Sequence, residues 1–378
     1  MEQNKQIDIG NYAHIRSAEG ARTLPNKYYV SEDIYNLENE QIFQSRWLYV
    51  CRESKLRNPG NYFLYEMEKE SIIILRDLRK KVRAFYNVCR HRGTRLCTEP
   101  EGEFSKSIQC PYHAWTYGLD GKLIGAPNMH EIENFNKKDY PLHRVALEIW
   151  EGCIFINLAA NPQPFRKAFA PIYKKFKRWQ LSKLEIDHSL LYEVNANWKL
   201  ILQNYSECYH CPTLHPQLNR LTNFRDSAND LEEGPFLGGP MRMIKSGGSM
   251  TMSGNRCAMP LSGVSGEDLN RVYYYVIFPN MLLSLQPDYV LIHRILPLGT
   301  SKSTVICDWL FHPDAMTDSK FNPSDAIEFW NMTNKQDWEV CESAQKGIAS
   351  KVYIPGPYSE FESMIAALDR EYLKALDN

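Results

Sequence analysis

Cys89-Arg-His91-Arg-Gly93 and Cys110-Pro-Tyr-His113-Ala-Trp-Thr-Tyr-Gly-Leu-Asp-Gly121 each set a histidine close behind a cysteine, with eighteen residues between His91 and Cys110. Thiolate and imidazole pairs at this spacing can hold a metal centre on two facing loops. Gly93 and the Asp120-Gly121 pair suit loops that must turn tightly around it. The flanking runs Asn61-Tyr-Phe-Leu-Tyr65, Ser71-Ile-Ile-Ile-Leu75, Val82-Arg-Ala-Phe-Tyr86 and Cys153-Ile-Phe-Ile-Asn157 are β-rich and separated by turn residues. They predict a small antiparallel β domain over about residues 47–158. Two chemistries accept this donor set. A structural zinc ion takes two cysteines and two histidines, and a [2Fe–2S] cluster takes the cysteines on one iron and the histidines on the other.

A second constellation lies in Asn204-Tyr-Ser-Glu207-Cys-Tyr-His210-Cys-Pro-Thr-Leu-His215-Pro216. Residues five apart on a straight helix point about 140° away from each other, so His210 and His215 need a break to share a metal. Pro212 is read as that break, ending a helix just after His210. In a later helix, Trp330, Asn334, Asp337, Cys341, Ala344 and Ile348 recur every three or four residues and share one face. An acid on the least charged face of a helix is unfavourable unless paired or metal-bound. Asp337 is that acid, and with His210 and His215 it makes a candidate two-histidine, one-carboxylate metal site. Glu339 and Glu342 better fit ordinary pairing with lysine.

Between the two constellations, Asn161-Pro-Gln-Pro164 reads as a linker, since proline removes a donor and restricts the backbone. The expected division is a segment 1–44 packing with the catalytic domain, a β domain 45–160 and a domain 161–378. Helices are expected over about 165–179, 198–210 and 325–346, and strands near 271–277, 289–296 and 304–311. Together they predict an α+β domain with an antiparallel sheet. The Gly-, Met- and Ser-rich stretch 236–266 shows no period and reads as a loop and possible lid.

The 378 residues favour two domains over one core. Lys and Arg number 44 against 45 Asp and Glu, so the overall balance recruits neither nucleic acid nor an anionic membrane. No apolar run approaches the roughly 18 residues of a membrane span, and Met1-Glu-Gln-Asn-Lys5 lacks the apolar core of a signal peptide. A cytoplasmic protein is expected, with its ten cysteines mostly reduced. No Gly-x-Gly-x-x-Gly fingerprint for a nicotinamide or flavin occurs. For a redox centre, electrons would then come from another protein, and Arg90, Arg92 and Arg95 are candidates for steering an acidic partner.

With their flanking residues, the two Cys-x-His and Cys-x-x-His motifs resemble the paired signature of Rieske oxygenase catalytic (alpha) subunits. The Asn204 to Pro216 segment and Asp337-Trp-Glu-Val-Cys-Glu-Ser-Ala-Gln-Lys-Gly347 resemble that family's iron motifs, in the expected order. The spacing between the first two motifs is slightly long, the extra length being placed at Pro100-Glu-Gly-Glu103. A respiratory-type Rieske protein would carry a further cysteine in each loop, whereas Cys97 stands alone and Tyr112 occupies the second place.

The resemblance implies an N-terminal Rieske [2Fe–2S] domain held by Cys89, His91, Cys110 and His113, and a C-terminal helix-grip domain with Fe(II) on His210, His215 and Asp337. It implies Asn204 as a site residue and Glu207 as an electron-transfer bridge joining His210 to His113 of a neighbouring subunit in a head-to-tail homotrimer. NAD(P)H would enter only through a separate flavin and iron–sulfur reductase. Glu207-Cys-Tyr-His-Cys-Pro with His215-Pro216 is more similar to the betaine, choline and carnitine oxygenase branch than to the aromatic-ring branch. Hydroxylation of an N-methyl group of a glycine betaine-like compound, releasing formaldehyde, is therefore expected; the alternative is an aromatic-ring-hydroxylating dioxygenase. Tyr205, Tyr273, Tyr275 and Trp309 are available to surround a quaternary cation. A pure electron carrier and a zinc protein are the rivals from other classes.

Overall fold

In the computed structural model, residues 21–319 and 321–377 are described; the amino-terminal pentapeptide considered above lies outside them. The chain forms two compact units. One comprises residues 45–168, and the other joins residues 21–44 to residues 169–377.

The first unit is built from three small antiparallel sheets. β1 (Leu48–Arg52), β10 (Cys153–Asn157) and β9 (Ala146–Trp150) form one. β4 (Val82–Tyr86), β3 (Glu70–Arg76), β2 (Asn61–Met67) and β5 (Glu101–Glu103) form the second, and β6 (Ser107–Gln109), β7 (Thr116–Gly118) and β8 (Leu123–Gly125) the third. The extra length expected at Pro100 to Glu103 is accommodated as β5, an exposed strand on the edge of β2. Trp47 donates its indole N–H to the Gln163 carbonyl at 2.9 Å, so the proline-rich segment packs on this unit, whose boundary follows Ala168.

In the second unit, seven antiparallel strands form one sheet. They are β11 (Glu185–Val194), β12 (Thr222–Ser227), β13 (Phe236–Met243), β14 (Arg271–Ile277), β15 (Met281–Leu285), β16 (Val290–Pro297) and β17 (Ser303–Phe311). Their order is β11-β17-β16-β15-β14-β13-β12. The long helix Ser324–Ile348 buries Phe329, Trp330, Asn334, Cys341 and Ile348; Gln345 takes the place expected of Ala344, which is exposed.

Two regular elements differ from expectation here, and a third, the helix expected over 198–210, is shorter at the site. The stretch 236–266 opens with β13 rather than a loop. At Gly238 (φ +132°) a Cβ would strike the Tyr274 carbonyl, and at Gly239 the Ala228 carbonyl, so the glycines permit close strand approach. The helix expected over 165–179 is confined to Phe165–Ala168. Beyond it come single turns, with Ile172 N–H bonded to Phe169 O and Trp179 N–H to Phe176 O, because Pro171 cannot support a continuous helix. The buried Phe169, Ile172, Phe176 and Trp179 still recur every three or four residues, which is the period that suggested a helix.

The segment 21–44 anchors the element that carries the site. Glu38, fully buried, accepts from Lys199 Nζ at 2.5 Å, Trp198 Nε1 at 2.8 Å and Tyr372 Oη at 2.6 Å. Three donors on one carboxylate compensate its desolvation; removing a partner from such a buried set costs about 3–5 kcal/mol. The helix Trp198–Tyr205 is thereby pinned, and Asn204 and Tyr205 at its end are held in place.

Candidate functional site

In the first unit, the Cys89 loop follows β4 and the Cys110 loop joins β6 to β7. Backbone bonds close each: Cys89 N–H to Thr94 O at 2.9 Å, and Cys110 N–H to Trp115 O at 2.8 Å. Gly93 takes φ +75° at the tip of the first. Asn87 braces that loop by accepting from Leu96 N at 2.8 Å and donating to Cys97 O at 2.7 Å. Tyr117 accepts the Arg90 amide at 3.0 Å and lies 3.4 Å from Cys89 Sγ. Cys89 and Cys110 are buried, while the His91 and His113 rings sit 4.7 Å apart, His91 stacked on Trp115. His113 Nδ1 is buried without a partner, an atom that a metal would satisfy. Two buried sulfurs beneath two imidazoles fit a [2Fe–2S] cluster with one iron per pair. Of the three arginines, Arg90 donates to Pro141 O at 2.7 Å and is structural, and Arg95 pairs with Glu66 at 3.3 Å; Arg92 is exposed beside Tyr112.

In the second unit the helix ends at Tyr205, earlier than expected. Pro212 starts a new turn, Cys211–Leu214, of which His210 is the N-cap, and His215 sits at the junction with the helix Pro216–Leu221. Proline is favoured in a first helical turn, where its missing N–H is no loss. Glu207 and His210 therefore face each other across a loop rather than along a helix. Glu207 Oε2 caps the Tyr209 and His210 amides, and Oε1 lies 2.5 Å from His210 Nδ1.

His210, His215 and Asp337 bring one ligating atom each within 4.8 Å of the others, the one such convergence among the described residues. Asp337 Oδ1 is 2.8 Å from His215 Nε2 and 3.5 Å from His210 Nε2. Each outer ring nitrogen is held in turn: His210 by Glu207, and His215 by Gln336 Oε1 at 2.7 Å. That is the usual outer arrangement around metal-binding histidines, and Gln336 has no sequence signal beyond its place beside Asp337. Burial lowers the proton affinity of His210, but the Asp337 and Glu207 carboxylates outweigh it, pushing its pKa up to about 9. Burial raises that of Asp337, and hydrogen bonds from His210 and His215 bring it below the ordinary value. The trio thus favours positive charge at its centre, which fits a divalent iron.

A cavity of about 130 Å³ opens onto this trio, lined among others by Asn204, Tyr205, Tyr274, Trp330, Thr333 and Phe361. Tyr205 and Tyr274 meet edge to face at 6.0 Å, Tyr274 and Trp330 at 6.1 Å. Trp330 is fixed by donating to Tyr289 Oη at 2.7 Å. Of the four expected aromatics, Tyr205 alone lines the cavity. Tyr273 and Tyr275 are bonded to Asp268 and Asp230 on the other face of β14, because neighbours in a strand point oppositely. Trp309, on β17, is fully buried in the hydrophobic cluster that holds Phe329 and Trp330 and does not reach the cavity wall.

A β unit with paired Cys and His loops, followed by a sheet-and-helix unit with a two-histidine, one-carboxylate trio, defines an iron-dependent oxygenase. The chain belongs to the family described as "Ring hydroxylating alpha subunit (catalytic domain)", matched over residues 181–378, with a "Rieske [2Fe-2S] domain" over residues 46–136. It is 30% identical to the glycine betaine monooxygenase oxygenase subunit of Pseudomonas aeruginosa, over 92% of this chain and 87% of that one. It is 36% identical to the carnitine monooxygenase oxygenase subunit of Escherichia coli over 52% of this chain and 53% of that one. A crystal structure of the quaternary ammonium Rieske monooxygenase CntA superposes with a TM-score of 0.80 at 25% identity, covering 96% of this chain and 97% of that one. Naphthalene 1,2-dioxygenase from Rhodococcus shares the fold at a TM-score of 0.78 and 18% identity, with 94% of each chain covered. The family's cofactors are a Rieske [2Fe–2S] cluster and a mononuclear iron. No helix among the described residues is long and apolar enough to cross a membrane.

Proposed function

We propose that this chain hydroxylates an N-methyl group of a small quaternary ammonium compound, glycine betaine and its relatives ahead of choline and carnitine. The observation that carries the reading is the continuous aromatic wall of Tyr205, Tyr274 and Trp330 beside the His210, His215 and Asp337 trio. A quaternary ammonium has no N–H to donate and is bound by aromatic faces. The names of the full-length relatives point the same way.

In this reading Cys89, Cys110, His91 and His113 hold the cluster, and His210, His215 and Asp337 hold the mononuclear iron. When bound, the cluster supplies single electrons and the iron supplies O₂ activation. The chain's own residues do the rest. Glu207 and Gln336 fix the tautomers and ring planes of His210 and His215, and the wall sets an N-methyl carbon toward the trio. One O₂, two electrons and two protons convert N–CH₃ to N–CH₂OH and water. The C–N bond then breaks to give formaldehyde, a proton and the tertiary amine that keeps the other two methyl groups. Electrons come from a separate reductase, the working form is a homotrimer, and the location is cytoplasmic.

With a surrogate reductase, glycine betaine is expected to stimulate O₂ uptake. Tyr274→Leu should raise its KM about tenfold, the equivalent of ~1.4 kcal/mol of cation–π attraction, whereas Tyr274→Phe, which keeps the ring, should stay within about twofold. Equal KM values in both variants, or uptake stimulated only by an arene with a cis-diol as product, would move the assignment to aromatic-ring dihydroxylation.

A further inference from the structure

The Glu207-Cys-Tyr-His-Cys211 loop holds a feature that metal binding does not require. Cys208 and Cys211 are joined, their Cα atoms 4.9 Å apart, within the normal disulfide range. The other eight cysteines, the cluster pair Cys89 and Cys110 among them, form no disulfide, so this pair stands apart in a chain expected to be mostly reduced. Disulfides in otherwise thiol-bearing proteins of reducing compartments are mostly transient and redox-sensing.

The pair's position is specific. The two cysteines bracket Tyr209 and His210, and Cys208 and Cys211 both line the cavity, where a small oxidant can reach them. Cys211 Sγ lies 3.8 Å from His210 Nε2, the ring atom that faces Asp337. The loop falls between the helix ending at Tyr205 and the single turn beginning at Cys211, and only the His210 carbonyl is tied to that turn, accepting from Thr213 N at 3.0 Å and Leu214 N at 2.9 Å. On its other side it is held by Glu207 on its amide and ring, by the Cys211 N–H bonded to Cys208 O at 3.1 Å, and by the disulfide.

We infer that Cys208 and Cys211 are a redox-modification site, oxidised by peroxide and reduced by a dithiol, whose disulfide fixes His210 in its metal-binding position. The inference rests on the metal reading of His210, His215 and Asp337 given above. The oxidant has a source in the activity itself. When two electrons and two protons reach O₂ without a substrate to hydroxylate, the product is H₂O₂. Two thiols and one H₂O₂ give one S–S bond and two waters. A dithiol returns two electrons and two protons to restore the thiols and is itself oxidised to a disulfide. The joined state keeps the iron site assembled while peroxide is being produced, and the open state loosens it.

The test uses the full chain with its cluster loaded and Co(II) as the probe metal at the His210 site. One sample is treated with one equivalent of H₂O₂, another with dithiothreitol and then desalted; cluster absorbance checks that both remain folded. Alkylation before and after reduction, followed by peptide mass spectrometry, should find Cys208 and Cys211 protected in the first sample and alkylated in the second. Co(II) should bind about tenfold more weakly to the reduced sample, the size of effect expected from loosening a support of a metal ligand. The C208S/C211S double variant should show the weaker value in both conditions. Free Cys208 and Cys211 after peroxide, or equal Co(II) affinity in the two states, would overturn the inference. Failure to bind Co(II) in either state would overturn the metal reading, and the clamp with it, while the peptide masses would still report whether the sulfurs are joined.

Discussion

Asp337→Ala is expected to lose the mononuclear iron and all measurable turnover while the Rieske cluster keeps its colour. Asp337 is the anionic member of the trio, 2.8 Å from His215 Nε2 and 3.5 Å from His210 Nε2. Without it, two neutral imidazoles are left to hold a dication, a poor donor set for Fe(II). The nearest acids on the same helix are engaged elsewhere or exposed. Glu342 accepts from the Asn195 amide at 2.8 Å, and Glu339 is exposed on the same helix. Iron analysis should fall by one ion per chain, with the visible spectrum of the cluster unchanged and substrate-dependent O₂ uptake reduced at least about a thousandfold. Full iron content with full activity would place the third ligand elsewhere. The companion variant Cys110→Ala, in the other unit, should instead bleach the cluster and block electron entry.

Glu207→Gln is expected to separate electron transfer from metal binding. The carbonyl of a glutamine can still cap the Tyr209 and His210 amides, so the loop should survive. What is lost is the anion on His210 Nδ1, now 2.5 Å away, and the capacity to hold a second imidazole donor at the same time. We propose that this second donor is His113 of a neighbouring subunit in the trimer, making Glu207 a positioning residue between the two centres. Both centres should load, and dithionite should still reduce the cluster. Reoxidation of the reduced cluster by O₂ with substrate should slow by about a hundredfold, the upper end of the loss seen when the outer partner of a metal-binding histidine is replaced. Unchanged single-turnover kinetics in a fully loaded variant would rule the bridge out and leave Glu207 as the loop cap that its Oε2 contacts already make it.

The parts of the molecule legible in the sequence are those written in local residue type and spacing. Two Cys–His loops between β-rich runs, two histidines around a proline and an acid on a helix face all survive into the structure as grouped side chains. Legibility ends where a three-dimensional choice is made between local equals. Tyr273, Tyr274 and Tyr275 are consecutive, and strand alternation sends the middle one to the cavity and its neighbours to the other face. Nothing in the triplet says which parity is inward, since that is fixed by pairing with β13 and β15.

Pro212 was legible as a break, but its sign was not: proline ends one helix and starts another equally well, and here the chain had already left helix at Ser206. Gly238 and Gly239 resemble loop glycines until the partner strand is placed within a Cβ radius of them. Gln336 and the Cys208–Cys211 bond depend on neighbours brought together by folding, over a sequence distance of 121 residues for Gln336 and within one short turn for the cysteines.

The central claim is oxygen insertion into an N-methyl C–H bond, and one stoichiometry tests it directly. Purified enzyme is supplied with limiting glycine betaine, excess O₂ and electrons from a surrogate reductase, and O₂ consumed, formaldehyde and the dimethylated amine are quantified in the same reaction. The account predicts formaldehyde and dimethylglycine in equal amounts, each matching the O₂ consumed once a substrate-free control is subtracted. O₂ uptake yielding peroxide alone across the betaines, choline and carnitine, with a dihydrodiol formed from an arene instead, would contradict it.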